Sequence, residues 1–127
     1  MGRDIQPSKV LLVEDDLLVS AVVAEELRDY GFDVHEATTG ESAMACLEAE
    51  AGIDILFTDV NLGGNVDGTE LAVRARQLRP DLPIVYSSGR HAAFGLKGMV
   101  TRSLFVPKPY RPAEVCVLLA RLTGGPH

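Results

Sequence analysis

The chain has 127 residues, 46% of them hydrophobic and 24% charged, with a formal net charge of −6. That length makes a single domain, long enough to cover a sheet on both faces and leaving little for a second module. The acidic balance argues against non-specific nucleic-acid binding, which needs a surplus of phosphate-neutralising cations, and no apolar run approaches the roughly 18 residues of a membrane span.

Apolar runs and helical patterns alternate along the chain. Residues 10–13 (Val10-Leu11-Leu12-Val13) read as a first buried strand, ending in the acidic run Glu14-Asp15-Asp16. Leu17, Leu18, Ala21, Val22, Ala24 and Leu27 suit an amphipathic helix over residues 17–30, stopped by Gly31. Asp16 stands where a short acidic side chain caps the free N–H groups of that helix. Phe32 to Ala37 alternates and has the charged character of an edge strand. A second helix spans 41–50 with Ala43, Met44 and Leu47 inward, and Ile53 to Thr58 forms a third, buried strand that gives way to a loop at Asp59.

The loop from Asn61 to Val66 is rich in glycine and asparagine and contains no proline, so a mobile segment is expected there. Asp67-Gly68 makes a turn or helix entry, Leu71 to Leu78 continues as a third helix, and Pro80 and Pro83 flank the link to a fourth strand at Ile84 to Ser87. Segment 90–103 carries Gly95 and Gly98 in its middle. Each glycine costs about 1 kcal/mol in a helix interior, so a short or imperfect fourth helix is expected. Leu104 to Val106 is the fifth strand, and Pro112 opens a last helix at a first-turn position that tolerates proline.

Strand–helix alternation with short links and continuous apolar inner strands implies an α/β fold, a parallel sheet between two helical layers. A (βα)5 unit accounts for the chain, with residues 9–122 as the domain and residues 1–8 and 123–127 as flexible tails. Right-handed crossovers then put every strand-to-helix loop on one edge of the sheet, where ligand sites lie in open α/β folds. Glu14, Asp15, Asp59, Ser88 and Lys108 all fall there. Carboxylates from two strand ends and an ammonium from a third suit a divalent cation and a phosphoryl group.

Several other polar groups read as ordinary surface. Arg74, Arg76 and Arg79 share one helical region and Arg90, Lys97 and Arg102 another stretch, and both groups are expected to be solvated. Cys46 and Cys116 show no metal-binding spacing and are expected to be buried free thiols in a reducing compartment. His35, His91 and His127 share no constellation.

With these residues in place, the chain resembles the receiver domain of two-component response regulators over nearly its whole length. The resemblance rests on the acidic pair Glu14-Asp15, on Asp59, on Ser88-Gly89, on Phe105 and on Pro107-Lys108-Pro109, each at the end of or within the matching strand. It implies a flavodoxin-like fold of strand order 2-1-3-4-5 and Mg2+ as cofactor. Asp59 is then the phosphoacceptor, Asp15 and Asp59 direct metal ligands, Glu14 an outer ligand through water, and Asn61 a ligand through its backbone carbonyl. Ser88 would bond the phosphoryl group, Lys108 would pair with it, and Ser88 and Phe105 would form the switch. The bond between Lys108 and Pro109 would be cis.

The resemblance also implies a phospho-accepting signalling switch of a phosphorelay rather than a turnover enzyme. A sensor histidine kinase or histidine-phosphotransfer protein would supply the phosphoryl group, and an output partner protein would read it, with no direct nucleic-acid or membrane contact. A cytoplasmic monomer or weak dimer is expected. The chain fits a stand-alone regulator or the receiver of a hybrid histidine kinase. Two other classes compete: an Mg2+-dependent phosphohydrolase working through an aspartyl phosphate, and a pseudo-receiver that docks without phosphorylation. Asn61 stands where such hydrolases carry a second acid, and the intact Asp15, Asp59 and Lys108 count against a pseudo-receiver. The loop Leu62-Gly63-Gly64-Asn65-Val66-Asp67-Gly68 departs from the family, being longer than its commonest form and lacking proline.

Overall fold

The computed structural model describes residues 6–89 and 98–124. Five strands, β1 (Lys9–Val13), β2 (Asp33–Ala37), β3 (Ile53–Asp59), β4 (Ile84–Ser88) and β5 (Ser103–Pro107), form one parallel sheet in the order β2-β1-β3-β4-β5. Four described helices cover it: α1 (Leu17–Tyr30), α2 (Gly40–Ala49), α3 (Gly68–Leu78) and α4 (Pro112–Thr123).

Alternation along β1 explains why the inner strands read as unbroken apolar runs. Leu11 and Val13 point into a layer shared with Ala43 and Leu47 of α2 and Leu71, Ala72 and Ala75 of α3. Val10 and Leu12 point into the opposite layer, with Val23, Ala24 and Leu27 of α1 and Val115, Cys116 and Leu119 of α4. Both faces of a central parallel strand are covered, so both sets of side chains must be apolar. The β1–β3 register slips between Lys9 and Val10, skipping Asp54. The Asp54 carboxylate accepts the Lys9 N–H at 2.8 Å there.

Helix starts follow the expected local chemistry. Asp16 caps α1, accepting from the N–H groups of Leu18 and Val19 at 3.0 and 3.2 Å. Thr39 and Ser42 form a reciprocal capping box on α2, and Asp67 accepts from Glu70 N–H at 2.9 Å on α3. Arg111 provides no side-chain cap for α4, where Pro112 occupies the first turn. Gly31 ends α1 in the left-handed region at φ 119°. The expected fourth helix falls largely on residues outside the described ones.

The packing of α1 differs from the reading of its apolar stripe. Leu17, Leu18 and Val22 are 69%, 80% and 59% exposed, while Ser20, Val23, Ala24 and Leu27 face the sheet. Apolar residues occupy both sides of this helix, so the helical period alone does not fix its phase. Arg76 and Arg79 also differ from solvated surface. Arg76 donates to the carbonyls of Leu82, Thr101 and Arg102 at 2.7, 2.8 and 2.9 Å. Arg79 donates to those of Ile53, Leu47 and Glu50, closing the C-terminal end of α2 against the start of β3. Cys116 is buried, Cys46 is half-buried, and both are free thiols.

The β3–α3 loop is anchored rather than loose. Leu62 and Val66 join the core layer, and Glu41 of α2 accepts the Asn65 N–H at 3.3 Å. At its far end Gly68 lets α3 start against the strand: its N–H donates to Val60 O at 2.8 Å, and a Cβ there would lie 2.1 Å from the Asp59 carbonyl oxygen. Backbone cannot yield as a side-chain tip can. Gly68→Ala is therefore expected to destabilise the protein by about 1–3 kcal/mol in urea unfolding. Gly63→Ala, with open space around its Cβ, should stay within about 0.5 kcal/mol of the parent.

Candidate functional site

The C-terminal edge of the sheet gathers the residues singled out above. The turn after β1 assigns three consecutive acids to three tasks. Glu14 is buried, and its Oε2 accepts the Asp16 N–H at 3.0 Å, so the turn that caps α1 also orients Glu14. Asp15 between them is exposed and its carboxylate is turned to the same cluster. Carboxylate oxygens of Glu14, Asp15 and Asp59 lie within 4.8 Å of one another.

Lys108 reaches this cluster from beyond β5. Its Nζ donates to Glu14 Oε1 at 2.6 Å and to Asp59 Oδ2 at 3.4 Å. Its backbone N–H donates to Ser88 O at 2.9 Å, which locks the ends of β4 and β5 together, and the Lys108–Pro109 peptide is cis. Asn61 donates its backbone N–H to Asp59 Oδ1 at 3.3 Å and its side-chain Nδ2 to Ser88 Oγ at 3.0 Å. Of the two adjacent serines, Ser88 is the one whose hydroxyl meets Asn61. The buried Ser87 hydroxyl has no hydrogen-bond partner among the described residues. Phe105 lies half-buried beside Tyr86 in the sheet register, packed on the α2–α3 layer.

One ammonium serves two carboxylates and favours Glu14. Burial raises the Asp59 carboxyl above the ordinary carboxylate range; Lys108 opposes this, the Glu14 charge adds to it, and the Asn61 N–H opposes it. Burial alone would lower Lys108, but its hydrogen bond to Glu14 and the charges of Asp59 and Glu14 outweigh it and raise the ammonium. The two directions are compatible because Nζ sits much nearer Glu14. Asp59 is left under-compensated. Burial also raises the Tyr110 phenol, with Glu14 and Asp59 adding to the effect.

Three carboxylates against one ammonium leave a surplus that a single divalent cation would balance. Hard oxygen donors of this kind suit Mg2+, which asks for few protein ligands and keeps several waters. The donor set therefore fits the ion.

A family model described as the response regulator receiver domain matches residues 10–120. The chain belongs to this receiver-domain family. A solved response regulator receiver protein from Sinorhizobium medicae superposes with a TM-score of 0.88 at 29% identity, covering 95% of this chain and 98% of that one. The transcriptional regulatory protein TrcR of Mycobacterium tuberculosis is 31% identical over 123 residues, 95% of this chain and 46% of that protein. The sensor kinase CckA of Brucella abortus is 32% identical over 104 residues, 80% of this chain and 11% of that protein. The receiver chain spans half or less of the length of such curated relatives.

The strand order, the acidic cluster and the ion pairs of Lys108 match the phospho-accepting site of receiver domains, and Mg2+ is the cofactor of such a site. No described helix is long and apolar enough to cross a membrane. Near the site, sequence reasoning missed the side chain of Asn61 on Ser88, the tilted packing of Tyr110 on Phe57 at 5.7 Å, and the Val100 N–H donated to the Tyr86 hydroxyl at 3.0 Å. Tyr110 directly follows the Lys108-Pro109 pair and could have been noticed; the other two join residues that only the fold brings together.

The Asp59 environment has a measurable consequence. A carboxyl raised in the folded state binds its proton more tightly there than in the unfolded chain. Ionised Asp59 therefore destabilises the fold at neutral pH, and the penalty fades as pH falls through the raised value. Asp59→Asn is expected to raise the urea midpoint of the metal-free protein at about pH 7. The advantage should shrink toward about pH 4, the ordinary carboxylate range.

Proposed function

We propose that residues 9–122 act as a cytoplasmic receiver module that takes a phosphoryl group on Asp59 from a sensor histidine kinase or histidine-phosphotransfer protein. The observation that carries this reading is the buried, under-compensated Asp59 at the centre of the three-carboxylate cluster, within 3.4 Å of Lys108. One carboxylate oxygen of Asp59 attacks the phosphorus of a phosphohistidine. The P–N bond breaks, the imidazole leaves with the bonding pair, and an aspartyl phosphate remains.

Each neighbour has a part in that exchange. Asp15, Asp59 and the Asn61 carbonyl would hold Mg2+, with Glu14 behind them through water; when bound, the ion would supply positive charge to offset that on the phosphoryl oxygens. Lys108 offsets part of the cost of burying the Asp59 charge and is placed to pair with the arriving phosphoryl group. The Ser88 hydroxyl would turn to a phosphoryl oxygen, and Phe105 would follow it inward beside Tyr86. Self-phosphorylation and self-dephosphorylation are the chemistry of this site. The signal would leave through a partner protein, with the module a monomer or weak dimer. The similar transcriptional regulator and sensor kinase mark two settings in which a receiver of this kind works.

Incubation with Mg2+ and acetyl phosphate, followed by intact mass, tests the reading. One phosphoryl group should be added to the parent and none to Asp59→Asn or to the parent in excess chelator. Asp15→Ala should weaken Mg2+ binding by about tenfold or more, equivalent to about 1.4 kcal/mol. Labelling of Asp59→Asn at the parent level would sink the assignment, and sustained phosphate release at many turnovers per second would mark a hydrolase instead.

A further inference from the structure

Asn61 touches the site twice, through two different groups. Its backbone N–H donates to Asp59 Oδ1 at 3.3 Å, and its side-chain Nδ2 donates to Ser88 Oγ at 3.0 Å. The first contact reports on the phosphoacceptor. The second holds a hydroxyl at the end of the neighbouring strand. Ser88 is buried and its carbonyl is fixed by the Lys108 N–H at 2.9 Å, so its side chain can turn while its backbone stays in place. An amide nitrogen can only donate, so Ser88 Oγ acts as acceptor in this contact. Asn61 itself is exposed on the β3–α3 loop, and a change in its side chain leaves the core untouched.

We propose that the Asn61 carboxamide is a positioning residue that latches the Ser88 hydroxyl in its resting place, so that this bond is released when the hydroxyl turns to a phosphoryl group on Asp59. The inference rests on the reading of Ser88 as the hydroxyl that meets that group. The anchor of the latch is the acceptor itself. The Asn61 N–H now meets a carboxylate, and hydrogen bonds to ionised acceptors are the stronger kind. Phosphorylation turns that carboxylate into a neutral carbonyl oxygen and the bridging oxygen of a mixed anhydride. The event that offers Ser88 a new anionic acceptor therefore weakens the hold on Asn61.

The test is a double-mutant cycle read by binding of beryllofluoride, a phosphoryl mimic, with saturating Mg2+. Asn61→Ala should bind beryllofluoride about three- to tenfold more tightly than the parent, the range expected for losing one neutral hydrogen bond from the resting state. In a Ser88→Ala background the same substitution should change affinity by less than about twofold, because coupled residues are not additive. In the metal-free protein, Ser88→Ala should shift the side-chain amide protons of Asn61, a signature that needs no bound ion. Unchanged or weaker binding by Asn61→Ala, or an equal gain with and without Ser88, overturns the latch while leaving the receiver reading intact. Failure of the parent to bind beryllofluoride overturns both.

Discussion

A single ammonium held between two buried carboxylates is the constraint around which this molecule is arranged. Lys108 stands 2.6 Å from Glu14 and 3.4 Å from Asp59, and neither carboxylate is well exposed to water. Buried charge is tolerable only when paired, and breaking such a pair is far more damaging than the pair is stabilising. Here the pairing is unequal by design of the geometry. Glu14 is answered by Lys108 and by the Asp16 N–H. Asp59 takes a longer ion pair and the Asn61 N–H, and burial still lifts its carboxyl. The residue with unsatisfied charge is the one with a reaction to perform, and a divalent cation beside it would meet that deficit.

The strand order makes this arrangement possible. β3 lies between β1 and β4, so Asp59 has the acidic turn of β1 on one side. On the other side β5 is two strands away, a separation of about 10 Å at the usual inter-strand spacing. A side chain that starts beyond β5 must be long to meet Asp59, and lysine carries its charge on a four-carbon stem that can lie along an apolar surface. The strand between, β4, ends in Ser87 and Ser88, whose small side chains leave the path open. Backbone bonds tie the three strand ends together: Val60 N–H to Ser87 O at 2.8 Å and Lys108 N–H to Ser88 O at 2.9 Å. Displacing β5 by a residue would remove the ammonium from the site entirely.

Much of this was readable before the structure because several independent features of the chain agree. Unbroken apolar runs of strand length, Asp16, Asp67, Gly31 and Pro112 each mark an element or its boundary by local chemistry. The chemical residues were readable because they cluster at the ends of those runs. What escaped has a common cause. The phase of α1 was hidden because Leu17, Leu18 and Val22 share the helix with Val23, Ala24 and Leu27, and only contact with the sheet and α4 decides between them. Arg76, Arg79 and the Asn61 carboxamide bond carbonyls or hydroxyls distant in sequence, and a polar side chain on a surface segment carries no local mark of its partner.

The sheet is not equally firm on both sides of Asp59. Toward β1 every inner residue from Val10 to Val13 is fully or almost fully buried, and a shift there would disturb both core layers at once. Toward β5 the packing is thinner: Leu104 is exposed, and Phe105 and Val106 are only half-buried at the edge of the sheet. Local stability follows buried apolar contact, so among the described residues β5 is less firmly held than β1. The contacts that leave the site point the same way. Asn61 and Lys108 both engage Ser88, and Ser88 lies one strand from Phe105 and two residues along from Tyr86, whose hydroxyl holds the Val100 N–H. Arg76 donates to the carbonyls of Thr101 and Arg102 on the same flank, an anchor just before β5 begins.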